Sequence, residues 1–126
     1  MALDNPILLV EDNVQAQQLF QLMFKRINAQ LEIVSAVSDA VKILSATEII
    51  MVIVDIFLPG RENGIDLINY IKQDNNLKHI PIIAISAGNV KKDVLPLLDM
   101  SRDLYYDKPL DMKSIIHQIT TVLNSS

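Results

Sequence analysis

The sequence predicts an α/β fold built on a parallel sheet, and three observations carry that reading. Short apolar runs rich in Ile and Val recur along the chain without clean polar alternation, the segments between them have helical periodicity, and the two kinds alternate five times. Strands covered on both faces of a parallel sheet read as such near-continuous apolar runs. Repeated strand, helix, strand units return each strand to one sheet through right-handed crossovers.

The first run is "ILLV" at 7–10. In Val14 to Ile27, Leu19, Phe20, Met23, Phe24 and Ile27 recur at three- and four-residue steps opposite Gln15, Gln18, Gln21 and Lys25, which predicts an amphipathic helix with one buried stripe. "LEIV" at 31–34 is the second strand, and Val37 to Leu44 the second helix. "IIMVIV" at 49–54 precedes a helical segment from Ile65 to Ile71, and "IPIIAI" at 80–85 is the fourth run. The stretch Val90 to Met100 contains Pro96. An interior proline costs about 3 kcal/mol, whereas the first helical turn tolerates one, so this helix is expected to start near Asp93 or to bend at Pro96. "LYY" at 104–106 is a weaker fifth strand, with Tyr106 read as packing, and Ile115 to Leu123 the last helix. Met23, Met51, Met100 and Met112 read as core filling.

A chain of 126 residues fits one domain, here without repeat or linker. The 11 Lys and Arg residues against 15 Asp and Glu form no basic cluster able to track a phosphate backbone, so direct nucleic-acid binding is not expected. The absence of cysteine excludes disulfides and thiolate metal sites. No targeting segment is evident and no stretch approaches the ~20 apolar residues of a membrane span, so a cytoplasmic protein is expected. Only "NSS" follows Leu123. The expectation is therefore a domain with no DNA-binding domain after it in this chain, either self-standing or cut from a longer protein.

In an open parallel sheet ligands bind beyond the carboxyl ends of the strands. The residues directly after the runs are Glu11 and Asp12, Asp55, Ser86, and Lys108 with Pro109. Three carboxylates at one edge repel, by about 4 kcal/mol per pair at ~4 Å and an effective dielectric near ~20. A hard divalent cation offsets that: Mg²⁺, with Mn²⁺ able to replace it, since such ions take oxygen ligands and keep waters for a phosphate. Lys108 would neutralise a further share. Simpler roles also exist. Glu11 and Asp12 suit the positive end of the first helix, with Asn13 as its cap, which does not compete with metal binding. His79 and His117 lack a second ligand at useful spacing and read as solvated.

Taken together, "ILLVEDN", "VDIFLPG", "IPIIAISA" and "YYDKPL" make the chain resemble, along essentially its whole length, the receiver domains of two-component response regulators. The resemblance implies a flavodoxin-like (βα)5 three-layer sandwich with a five-stranded sheet of order 2-1-3-4-5. It implies that Asp55 accepts a phosphoryl group from a sensor histidine kinase or histidine phosphotransfer protein. Asp12 and Asp55 would hold Mg²⁺, Glu11 would act mostly through metal-bound water, and Phe57 would offer its backbone carbonyl. Ser86 and Lys108 would each contact a phosphoryl oxygen. Tyr105 would be the aromatic switch that follows Ser86, and Pro109 would follow a cis bond. A downstream partner would read the fourth helix, fifth strand and last helix, Val94 to Leu123. Such a protein catalyses its own phosphorylation and dephosphorylation as a signalling switch rather than a turnover enzyme, and the resemblance allows either a self-standing regulator or a receiver module cut from a longer multidomain regulator or hybrid kinase.

Two features depart from the family. Pro59 and Gly64 are five apart where four is common, so the loop after the acceptor is one residue longer, and Pro96 lies in the helix that usually moves. Phe57 and Gly88 would flank the phosphoryl group, a place where the family tunes hydrolysis. A phosphatase of the haloacid dehalogenase type would also use an aspartate and Mg²⁺, but needs an acid where Phe57 stands. A scaffold that binds partners without phosphorylation would not need the acidic pair, acceptor, Ser86 and Lys108 together.

Overall fold

Five strands, β1 (Ile7–Val10), β2 (Leu31–Val34), β3 (Met51–Asp55), β4 (Ile82–Ser86) and β5 (Leu104–Asp107), form one parallel sheet in the order β2-β1-β3-β4-β5. The computed structural model describes residues 5–124; the first four and last two residues, which enter the reading of the termini, lie outside that range. Side chains alternate between the sheet faces with period two. Leu8, Val10, Val52 and Val54 therefore pack with α2 (Val37–Ala46), α3 (Gly64–Gln73) and α4 (Lys91–Val94). Ile7, Leu9, Met51 and Ile53 pack with α1 (Val14–Arg26) and α5 (Met112–Asn124) on the other face. The result is the three-layer arrangement.

The central strands β1, β3 and β4 are buried throughout, while edge strand β2 is only partly covered. Asn13 caps α1 by accepting the Ala16 N–H at 2.8 Å. At α3, Asn63 accepts from Ile65 and Asp66, and the Asp66 carboxylate returns to the Asn63 N–H, so two orphan donors are satisfied reciprocally.

Three expectations change. The stripe of α1 is narrower than its sequence: Phe20 and Phe24 are buried, Met23 and Ile27 partly so, and Leu19 is exposed because one residue turns it about 100° from Phe20. Met100 is 57% exposed and fills no core. The fourth helix starts at Lys91, before Asp93, and lasts one turn before the chain passes into a 3₁₀ turn, Leu95–Leu97, around Pro96. Proline offers no N–H to continue the ladder and its ring opposes the carbonyl four residues back. Met51, by contrast, is a fully buried core residue.

Asp103, just before β5, has no solvent exposure. It pairs with Lys72 of α3, accepts the N–H groups of Ile82 and Asp99 at 2.8 Å each, and lies 3.7 Å from Arg102 Nε. One carboxylate thus ties α3, the start of β4 and the turn after Pro96 to β5. Asp103→Ala leaves buried donors and Lys72 without their acceptor, and is expected to cost about 3 kcal/mol. Urea unfolding will show it as a lower midpoint at unchanged slope; Asp103→Asn, which keeps an acceptor, will lose less.

Candidate functional site

The parallel register brings the ends of β1, β3, β4 and β5 to one edge, because Val10 pairs with Val54, Asp55 with Ile85 and Ser86 with Asp107. Glu11 and Asp12 follow β1 and Asp55 ends β3, so the three carboxylates meet there. An oxygen from each lies within 4.8 Å of the others. Glu11 and Asp55 are buried and Asp12 is exposed, which gives the cluster a closed back and an open mouth.

Lys108 supplies the counter-charge. Its Nζ donates to Asp55 Oδ2 at 2.9 Å and to Glu11 Oε1 at 3.4 Å. The Lys108 backbone N–H donates to the Ser86 carbonyl at 2.8 Å, and the Lys108–Pro109 bond is cis. Asp55 Oδ1 accepts the Phe57 N–H at 3.0 Å, so both oxygens of this carboxylate are held. Burial pushes the Glu11 carboxyl above its usual range, the Asn13 N–H opposes that and the Asp55 charge adds to it. For Lys108 burial works against the charge, but the Asp55 and Glu11 carboxylates outweigh it and raise the amine. The stabilisation that this amine gains on folding is present below the ordinary lysine range and is lost only as pH rises through the raised value.

Ser86, buried at the end of β4, turns its hydroxyl toward Gly88, whose N–H it accepts at 3.1 Å. Phe57 is 52% exposed, and a Cβ on Gly88 would meet its ring at 2.8 Å. Ring and glycine thus lie against each other, each two residues beyond a strand-end residue, Asp55 and Ser86. Tyr105 is half-buried and its hydroxyl donates to Asp107 Oδ1 at 2.9 Å. Burial raises its phenol, Asp107 adds to that and the Ser86 hydroxyl opposes it.

The loop after Asp55 runs on the outside. Residues 59–63 are exposed, and Gly60 turns at φ 100°, a conformation that favours glycine. Gly64 returns the chain to the strand: its N–H donates to the Ile56 carbonyl at 2.9 Å, and a Cβ there would lie 2.6 Å from the Asp55 carbonyl oxygen. The sequence marked Gly64 only through its spacing from Pro59. It gave no sign of Gln17, which donates to the Glu11 carbonyl at 2.6 Å and steadies the start of the acidic pair. His79 and His117 are exposed and away from the carboxylate cluster.

A five-stranded 2-1-3-4-5 sheet with an acidic cluster and a lysine at its carboxyl edge defines a class of protein, and comparison with known proteins agrees. The chain belongs to the response regulator receiver domain family, whose model matches residues 7–120. It is 29% identical over 117 residues to the transcriptional regulatory protein GltR of Pseudomonas aeruginosa, covering 93% of this chain but 48% of GltR, so it spans about half the length of that relative. It is 24% identical over 120 residues to the polar-differentiation response regulator DivK of Brucella ovis, covering 95% of this chain and 97% of DivK. Among solved structures it is similar to the receiver domain of a Pseudomonas aeruginosa sensor histidine kinase, with a TM-score of 0.83, 22% identity and coverage of 95% and 98%. That structure holds a magnesium ion in its active-site cleft. Among the described residues here, no helix is long and apolar enough to cross a membrane.

Two outcomes test the geometry. Gly64→Ala forces a methyl group against the Asp55 backbone and is expected to destabilise by about 1–3 kcal/mol, measured by urea unfolding. Mg²⁺ is expected to raise the melting temperature progressively with concentration, as a ligand of the folded state alone does. The increment should vanish in Asp12→Ala.

Proposed function

We propose that this receiver domain is a phosphorylation switch of a two-component phosphorelay, taking a phosphoryl group from the phosphohistidine of a sensor histidine kinase or histidine phosphotransfer protein onto Asp55. The observation that carries the reading is the Asp55 carboxylate itself. It is fixed at the end of a buried strand, bonded to Lys108 at 2.9 Å and grouped with Glu11 and Asp12.

Asp55 needs no general base, because an ionised carboxylate is already the nucleophile. One of its oxygens forms the new bond to phosphorus while the bond to the histidine nitrogen breaks, and the electron pair stays on that nitrogen. Phosphoryl transfer asks the protein for positioning and for positive charge against the phosphoryl oxygens. The Phe57 N–H on Oδ1 fixes the angle of the carboxylate. Lys108 is already at the other oxygen and passes to a phosphoryl oxygen as that charge develops, and Ser86 exchanges Gly88 for another. Glu11, Asp12, Asp55 and the Phe57 carbonyl would hold Mg²⁺ or Mn²⁺, which supplies positive charge against the phosphoryl oxygens when bound. The all-oxygen donor set suits such an ion, and the magnesium in the similar kinase receiver domain supports the assignment.

A bound phosphoryl group shifts a two-state equilibrium only by its differential affinity for the two states. In this reading Ser86 and Lys108 supply that difference, Tyr105 follows Ser86, and a downstream protein partner reads α4, β5 and α5. The four-residue α4 makes the relayed surface depend more on β5 and α5. The domain acts through protein partners in the cytoplasm, without direct contact to nucleic acid or membrane. It changes its own phosphorylation state rather than turning over a substrate.

Incubation with Mg²⁺ and acetyl phosphate is expected to add the mass of one phosphoryl group, read by intact mass spectrometry. Asp55→Asn and EDTA should each abolish the gain, and Lys108→Ala should slow it on the order of 10²-fold. An equal gain in Asp55→Asn would sink the reading.

A further inference from the structure

Asp107, the last residue of β5, is the acceptor of the Tyr105 hydroxyl at 2.9 Å. Residues two apart on a strand share a face, so the pair closes a small ring along one side of β5. The strand register also pairs Asp107 with Ser86 of β4. The Tyr105 ring packs partly buried against the face of the sheet covered by α2, α3 and α4. Its hydroxyl feels both the Asp107 carboxylate and the Ser86 hydroxyl, with opposite effects on the phenol. Ser86 meanwhile both accepts from and donates to the main chain of Gly88. The tyrosine cannot leave this position without giving up a bond to a charged acceptor, which is roughly twice as strong as a bond between neutral groups.

We propose that Asp107 is a positioning residue that latches Tyr105 in the arrangement where Ser86 faces Gly88, and thereby sets how strongly the domain resists its phosphorylated conformation. The proposal rests on the phosphoacceptor reading of Asp55. A bond made in one of two states lowers the apparent affinity of any ligand that selects the other, by the factor the bond is worth. For one exposed hydrogen bond that factor is at most about fivefold.

Asp107 is also an acid next to Lys108 in sequence, although the Lys108 amine pairs with Asp55 and Glu11, so charge and hydrogen bond must be separated. Asp107→Asn removes the charge but keeps a carbonyl acceptor; Asp107→Ala removes both; Tyr105→Phe removes only the donor. Beryllofluoride, a phosphoryl mimic, is titrated with Mg²⁺ into the full chain and each variant, and the ring signals of ¹³C-labelled tyrosine are followed by NMR. Asp107→Ala and Tyr105→Phe are each expected to half-saturate at up to about fivefold lower beryllofluoride. The double variant should gain nothing further, because the two single changes break the same bond. Asp107→Asn should shift less than Asp107→Ala.

Wild-type half-saturation in Asp107→Ala or Tyr105→Phe would overturn the latch. So would additive gains in the double variant, or an Asp107→Asn shift equal to that of Asp107→Ala, which would assign the effect to charge. Those results leave the wild-type response intact and so reject the latch alone. A wild type that shows no Mg²⁺-dependent response would overturn the phosphoacceptor reading and the latch with it.

Discussion

Like-charge repulsion at one edge of a buried sheet is the constraint on which the arrangement depends. Glu11, Asp12 and Asp55 bring three carboxylates within 4.8 Å of one another, two of them buried. Isolated buried charges of one sign would neutralise by taking up protons. Here Lys108 reaches across from the end of β5 to bond Asp55 and Glu11. The rest of the fold serves that geometry: the amine arrives only because β5 lies beside β4, and the acids meet only because β1 lies beside β3. The residual negative charge is the physical basis on which the cluster could hold a cation at its mouth.

The rim is shaped by backbone as much as by side chains. Gly64 lets the chain pass against the Asp55 carbonyl, and Gly88 leaves room for the Phe57 ring. The loop after Asp55 passes through exposed positions to Asn63, where the capping box of α3 restores regular structure. The opposite end of the sheet is held by a different carboxylate. Asp103 gathers Lys72 and two main-chain donors, and so anchors β5 although the helix before it is reduced to a single turn.

Much of this was legible in sequence. The runs at 7–10, 49–54 and 80–85 each contain or closely overlap a central strand, because strands covered on both faces must be apolar at nearly every position, and the shorter runs at 31–34 and 104–106 match the partly covered edge strands. The residues after those runs form the site for the same reason: parallel crossovers leave every carboxyl end at one edge. Leu19 and Met100 were misread because apolar character and spacing alone do not say which flank of a helix or loop meets a neighbour. Asp103 and Gln17 were invisible, since an acid before a strand and an amide on a helix look like solvated residues until their partners, Ile82 and Lys72 or the Glu11 carbonyl, are known.

By itself, the sequence determined the alternation of strands and helices, that Pro96 disturbs the fourth helix though not where that helix begins and ends, and the set of polar residues that the strand ends deliver. These follow from local physics: periodicity, burial of apolar runs and the missing N–H of proline. Only the tertiary structure decided which of those residues touch. That Lys108 bonds Asp55 as well as Glu11, that Phe57 lies over Gly88 and that the Tyr105 hydroxyl is tied to Asp107 depend on strand order and register. A shift in the pairing of β5 by one residue would turn its side chains to the opposite face, leaving the sequence unchanged and the site undone.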